Sequence, residues 1–149
     1  MKQVSFVLVK PGFANLQAII DEVKDRITES GLKITDEAFV QYTADDVKRH
    51  YAEHVNRSDY AELEKFMTSD KCFGMKIEGE DAIRIVRSIM GPAKNPPPGT
   101  IRHDIPEALG LNLPPTQNVT HAADSVKAAE REIEIFYEIL MRNLKERER

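Results

Sequence analysis

The segment NVTHAADS, Asn118 to Ser125, sets a histidine between a β-prone run and the start of a long amphipathic helix. An imidazole with a pKa near ~6.5 is largely neutral at pH 7 and needs no separate base to act as a nucleophile. A helix N-terminus offers unpaired N–H groups and a positive dipole end, so a phosphate would be stabilised beside His121. Taken alone, the segment fits a surface or capping histidine as well. Phosphoryl transfer to the ring would need cations around the moving group's oxygens, since positioning and electrostatics supply most of that catalysis. Suitable cations are Lys10, which closes an apolar run before Pro11-Gly12, Arg84 and Arg87 on one helical face, and Arg102 in GTIRHD. Each of them, singly, also reads as ordinary solvated charge. His50 and His54 have the i, i+4 spacing of a two-histidine metal pair. No cysteine or HExxH-type partner accompanies them, so no metal site is expected. Cys72 reads as a small core residue, and KPGF lacks the glycine spacing of a phosphate-cradling loop.

These residues need elements to bring them together. Gln3 to Val9 alternates and is rich in β-branched residues, which predicts a buried strand stopped by Pro11-Gly12. Leu16, Ile19, Ile20, Val23 and Ile27 recur at helical spacing, and Ser30-Gly31 supplies the stop. Leu32 to Gln41 reads as a second strand. Thr43 with Asp46 reads as a capped helix start carrying Val47, Tyr51 and Val55 on one face, and Ser58 as the cap of another short helix ending at Met67. Cys72 to Glu78 is a third strand, and Asp81 to Met90 an amphipathic helix closed at Gly91-Pro92. The Pro- and Gly-rich stretch GPAKNPPPGTIRHDIPEALGLNLPPTQ is too long for an ordinary connection and reads as a functional loop or an interface element. Gln117 to His121 is a short final strand. The last helix begins near Asp124 or Ser125 with Val126, Ala129, Ile133, Phe136, Leu140 and Leu144 as its buried stripe, and the terminal KERER is expected to be a solvated, fraying end. The order predicts an α+β fold: a ferredoxin-like α/β sandwich, with an antiparallel four-stranded sheet covered by helices, in one domain over residues 1–149.

Composition narrows the function. The 149 residues suffice for one compact core, and the formal charge of −4 argues against a protein that coats nucleic acid. One cysteine excludes an internal disulfide and suits a reducing compartment. The apolar run before Lys10 is too short for a secretion signal or a membrane span. A cytoplasmic location is therefore expected.

In their order and approximate spacing, VLVKPG, RHYAEH, EGEDAIRIVRSIMGP, PGTIRHD and NVTHAADS resemble the nucleoside diphosphate kinase family. The resemblance runs from about Val4 to Phe136. It implies a ping-pong reaction in which a nucleoside triphosphate phosphorylates His121 and a nucleoside diphosphate removes the phosphoryl group. By position it implies that Lys10 holds phosphate and ribose hydroxyls and that Tyr51 orients the transferring group. Arg87 and Arg102 would bind the β and γ phosphates, Asn118 the ribose, and Glu132 would orient the imidazole. Mg²⁺ would arrive with the nucleotide, held mostly by phosphate oxygens and water, and the protein would be a homo-oligomer. The chain departs from the family pattern in places. Ala122-Ala123 follows the histidine where Gly-Ser is usual, so a hydroxyl that supports the glutamate is missing. Ala93 stands where a phosphate-contacting threonine is common. The base-stacking aromatic falls at Asp59, which leaves Tyr60 and Leu63 to contact the base.

Overall fold

The computed structural model describes residues 1–147. Four antiparallel strands form one sheet in the order β2-β3-β1-β4: β1 is Lys2–Val9, β2 Lys33–Val40, β3 Cys72–Glu80 and β4 Thr120–Ala122. β1 is central, pairing with β3 along its whole length and with β4 at its C-terminal end. Both of its faces are covered, which explains why SFVLV is buried without interruption instead of alternating.

Each sheet face has its own apolar layer. Val7, Val9, Met75 and Ile77 pack with Ile19, Ile20, Val23 and Ile27 of α1 (Gln17–Glu29) and with Ala82, Val86 and Met90 of α4 (Ala82–Met90). Phe6 and Leu8 face the opposite way. They meet Val47 of α2 (Ala44–His50), Leu63 and Met67 of α3 (Tyr60–Met67), and Ile135, Phe136 and Ile139 of α6 (Val126–Arg147). Phe136 lies so close to the sheet that a β-carbon on Gly74 would sit 2.7 Å from its ring.

The fold class matches the expectation from sequence, and several local expectations are corrected. The final strand is Thr120–Ala122, and Pro115–Gln117 before it is a single 3-10 turn. The supposed loop after Gly91 contains a helix, α5 (Ile101–Leu109), with Pro106 inside it. Ile101 and Ile105 bury one turn apart, the Asp104 carboxylate accepts from the Gly99 N–H, and Gly110 at φ 67° ends the helix in a left-handed turn. Thr43 and Asp46 form the expected reciprocal cap of α2, but α2 ends at His50. A 3-10 turn, Ala52–His54, follows and leaves Val55 exposed. His50 and His54 therefore share no helix face. Asp59, not Ser58, precedes α3, and its side chain makes no capping bond.

The stripe of α6 is also displaced. Val126 and Leu144 are exposed, while Ala128, Ala129, Glu132, Ile135, Phe136 and Ile139 are buried. Spacing alone favoured Ile133 over its acidic neighbour. The core position belongs to Glu132. Of KERER, Lys145–Arg147 continues α6 and the last two residues lie outside the described residues.

Candidate active site

Strand register does the first part of the assembly. His121 lies opposite Leu8, and directly opposed residues of an antiparallel pair point to the same face of the sheet. Lys10, two residues beyond Leu8, belongs to that face too, and its N–H donates to the Val119 carbonyl, which extends the pairing past β4. Lys10 is 5% exposed, and its ammonium donates to Asn118 Oδ1 at 2.5 Å. A lysine at the end of a buried strand is thus held inside the molecule beside the histidine-bearing strand.

The two arginines grip the backbone on either side of His121. Arg102, near the start of α5, donates to the carbonyls of Gly91 and Thr120, both at 2.9 Å. Arg87, in the last turn of α4, donates to the carbonyl of Ala122 at 3.3 Å. Gly91 makes this possible: at φ 82° its β-carbon position would fall 2.7 Å from Thr100, so only glycine fits beneath α5. Arg84, one turn before Arg87, is exposed and pairs with Asp81 instead.

The ring itself is oriented from α6. His121 Nε2 is 2.7 Å from Glu132 Oε1, which leaves Nδ1 as its free nitrogen. Tyr51 and His50 pack edge-on against the imidazole, with ring centroids at 5.3 and 4.4 Å. The surrounding cleft, about 260 Å³, is lined by Lys10, Tyr51, Arg87, Arg102, His121 and Glu132, with Asp59 and Leu63 along the α3 side. Asn118 joins through its bond to Lys10. Tyr60 does not line the cleft; its hydroxyl donates to Glu64 within α3.

Burial and like charge set the protonation states. Burial, then Lys10, Arg102 and Arg87, drive the His121 pKa well below the usual imidazole range, so the ring is neutral at pH 7. Burial and the nearby Arg102 bring Lys10 down to about 7. Burial and Arg87 bring Arg102 down to about 10, and burial raises Glu132 to about 7. The helix-end reading of the sequence is less important here. α6 begins five residues after His121 at Val126, and Ser125 Oγ already accepts the Ala128 N–H. The positive field comes chiefly from side chains.

Arg131 and His50 are cleft residues whose placement the sequence did not reveal. Arg131 holds Glu53 through two bonds at 2.8 and 3.0 Å and donates to the His50 carbonyl at 3.3 Å, tying α6 to the turn that carries Tyr51. His50, considered only as a partner of His54, has donor atoms grouped with those of His121 and Glu132 within 4.8 Å of one another. The HY doublet at 50–51 was the available signal. As a metal set this trio is poorly placed, because Lys10, Arg87 and Arg102 surround it with like charge.

A neutral imidazole with one nitrogen tied to a carboxylate, the other free, and three cations converging on its strand has the chemistry to receive an anionic group. Comparison with known proteins identifies the family. The sequence model of the family described as nucleoside diphosphate kinase matches residues 3–140. The nucleoside diphosphate kinase of Listeria monocytogenes serotype 4a is 39% identical over 136 residues, covering 89% of this chain and 87% of that protein. That of Saccharolobus solfataricus is 35% identical over 138 residues, covering 91% and 95%. The crystal structure of the Aquifex aeolicus nucleoside diphosphate kinase superposes with a TM-score of 0.78 at 27% identity, covering 91% of this chain and 95% of that one. The chain belongs to the nucleoside diphosphate kinase family.

Proposed function

We propose that the protein is a nucleoside diphosphate kinase working by a ping-pong mechanism through His121. The Nδ1 lone pair attacks the γ-phosphorus of a nucleoside triphosphate, the bond to the β–γ bridging oxygen breaks, and the nucleoside diphosphate leaves with that oxygen. A second nucleoside diphosphate then attacks the phosphohistidine with a terminal β-phosphate oxygen and restores the neutral ring. Lys10, Arg87 and Arg102 offset charge on the phosphoryl oxygens. Glu132 accepts a hydrogen bond from His121 Nε2–H in both half-reactions and so keeps the lone pair on Nδ1. Tyr51 walls one side of the ring, and Asn118 holds the Lys10 ammonium and would meet the ribose.

The observation that carries this reading is the convergence of Lys10, Arg87 and Arg102 on the strand of a histidine whose other nitrogen is already occupied. Magnesium enters as part of the substrate, the Mg²⁺–nucleotide complex. Among the described carboxylates lining the cleft, Glu132 is bound to His121, Glu53 to Arg131 and Asp59 to Arg57. Only Asp124 is left, which suits an ion held by phosphate oxygens and water rather than by a protein cage.

Incubation with γ-³²P-ATP and Mg²⁺ is expected to label the protein in an acid-labile form that GDP discharges, and His121→Asn to abolish the label. Label retained at full level in that variant would remove His121 from the mechanism. A non-catalytic nucleotide-binding module is the competing reading, favoured by Asp59 and Ala93 on the cleft wall. It is excluded by any turnover from ATP to GDP.

A further inference from the structure

His50 takes no part in the transfer just described, yet its ring centroid is 4.4 Å from that of His121. It is the last residue of α2, and its side chain is fully buried. Its two nitrogens are in different situations. Nδ1 lies 3.1 Å from the hydroxyl of Tyr42, itself 1% exposed. That hydroxyl has no other hydrogen-bond partner among the described residues, and a buried hydroxyl donates to the acceptor within reach. Nδ1 therefore accepts, and the single proton of the neutral ring is on Nε2.

Nε2–H is then a buried donor with no acceptor among the described residues. The carboxylate nearest to it is Glu132, whose Oε1 is 3.8 Å away, the same oxygen that meets His121 Nε2 at 2.7 Å. A buried donor and a buried carboxylate with a single hydrogen bond thus face each other across a gap about 1 Å too long. Leaving either unsatisfied is costly in an interior.

We propose that His50 is a positioning residue for phosphoryl transfer, its Nε2–H closing onto the Glu132 carboxylate when His121 carries the phosphoryl group. The link completes a chain from Tyr42 through His50 and Glu132 to the His121 ring. With phosphorus on Nδ1, the remaining ring proton of His121 must sit on Nε2 and donate to an ionised Glu132. A second donor on that carboxylate keeps it charged and fixes its plane, and so fixes the ring. Burial holds His50 neutral, down to about pH 3, so it contributes a dipole and not a charge. His50 cannot take the phosphoryl group itself: Nδ1 is engaged by Tyr42 and Nε2 bears the proton.

This inference rests on the kinase reading, and single-turnover phosphorylation by ATP–Mg²⁺ separates the two. The proteins compared are the native chain, His50→Leu, His50→Gln and Tyr42→Phe. The leucine variant is expected to slow phosphorylation by about tenfold, the size of effect a buried bond to a charged group commands, with nucleotide affinity unchanged. Glutamine keeps a donor at the same reach and is expected to restore most of the rate. Tyr42→Phe, which removes only a hydroxyl, is expected to fall between, and so tests the chain even where the leucine variant fails to fold. In the native protein the His50 Nε2–H proton resonance is expected to move downfield on phosphorylation. An active native protein whose Leu and Phe variants keep its rate would overturn the role of His50 alone. So would a folded glutamine variant as slow as the leucine one. A native protein that takes no phosphate would overturn both readings.

Discussion

Within the cleft Lys10 and Glu132 both titrate near neutrality, at about 7, because burial disfavours their charged forms. The proposed mechanism needs both charged: Glu132 as the acceptor for His121 Nε2–H, Lys10 as the partner of phosphate. Glu132 loses its charge as pH falls through about 7, and Lys10 as pH rises through about 7. The free-enzyme parameter kcat/KM should therefore trace a narrow bell around neutrality, while kcat should extend further to the alkaline side because bound phosphate restores the lysine's charge. Glu132→Gln should lose the acid limb and much of the rate; an unchanged acid limb in that variant would take Glu132 out of the assignment. Asp59 gives a second expectation. It lines the cleft and pairs with Arg57 at 2.9 Å, offering no stacking face. Asp59→Phe should lower KM for nucleotides by about tenfold, since a base stacked on an aromatic gains ~1–3 kcal/mol. Steady-state kinetics decides it, and an unchanged KM would mean that the base sits elsewhere. Lys10, Arg87, Arg102 and His121 were legible in the sequence because a motif fixes their order. His50 was not, because its significance lies in a proton position set by Tyr42, eight residues away and on no shared periodicity.

Helix α2 is held at both ends, and its C-terminal end carries His50 and Tyr51 to the cleft. At its start Thr43 and Asp46 cap each other, and Asp46 also receives Arg142 of α6 at 2.7 Å. Thr43→Ala should destabilise the protein by about 1 kcal/mol, the usual cost of a lost cap, in urea unfolding, with little change in phosphoenzyme yield. A destabilisation no larger than scatter would show that Arg142 alone anchors the turn. The cap was readable from the sequence because its two residues are three apart. Helix α5 was not, because Pro106 reads as a breaker while the contacts that form the helix, Ile101 and Ile105 beneath it and Arg102 on Gly91 and Thr120, are tertiary. The stripe of α6 was misplaced for a related reason. Hydrophobic spacing cannot anticipate that a carboxylate occupies a core position, and Glu132 is there because His121 gives it a partner.

The topology gathers the cleft from opposite ends of the chain, with Lys10 on the first strand, His121 on the last and Glu132 on the helix after it. No helix of the described residues is long and apolar enough to cross a membrane. Leu16, Leu109 and Leu111 are each more than two-fifths exposed around one apolar groove that also includes Phe13 and Phe66. Such a patch suits association between copies of the chain. Sedimentation should give a multiple of 16.9 kDa, and Leu111→Asp should shift the mass downward; a monomer at every concentration would exclude the assembly. The decisive observation concerns the ring nitrogen that bears phosphorus. Nuclear magnetic resonance of the ¹⁵N-histidine phosphoenzyme should place phosphorus on Nδ1 of His121, with a proton on Nε2 bound to Glu132. Phosphorus on Nε2, or on any residue other than His121, would contradict the geometry from which the mechanism was built.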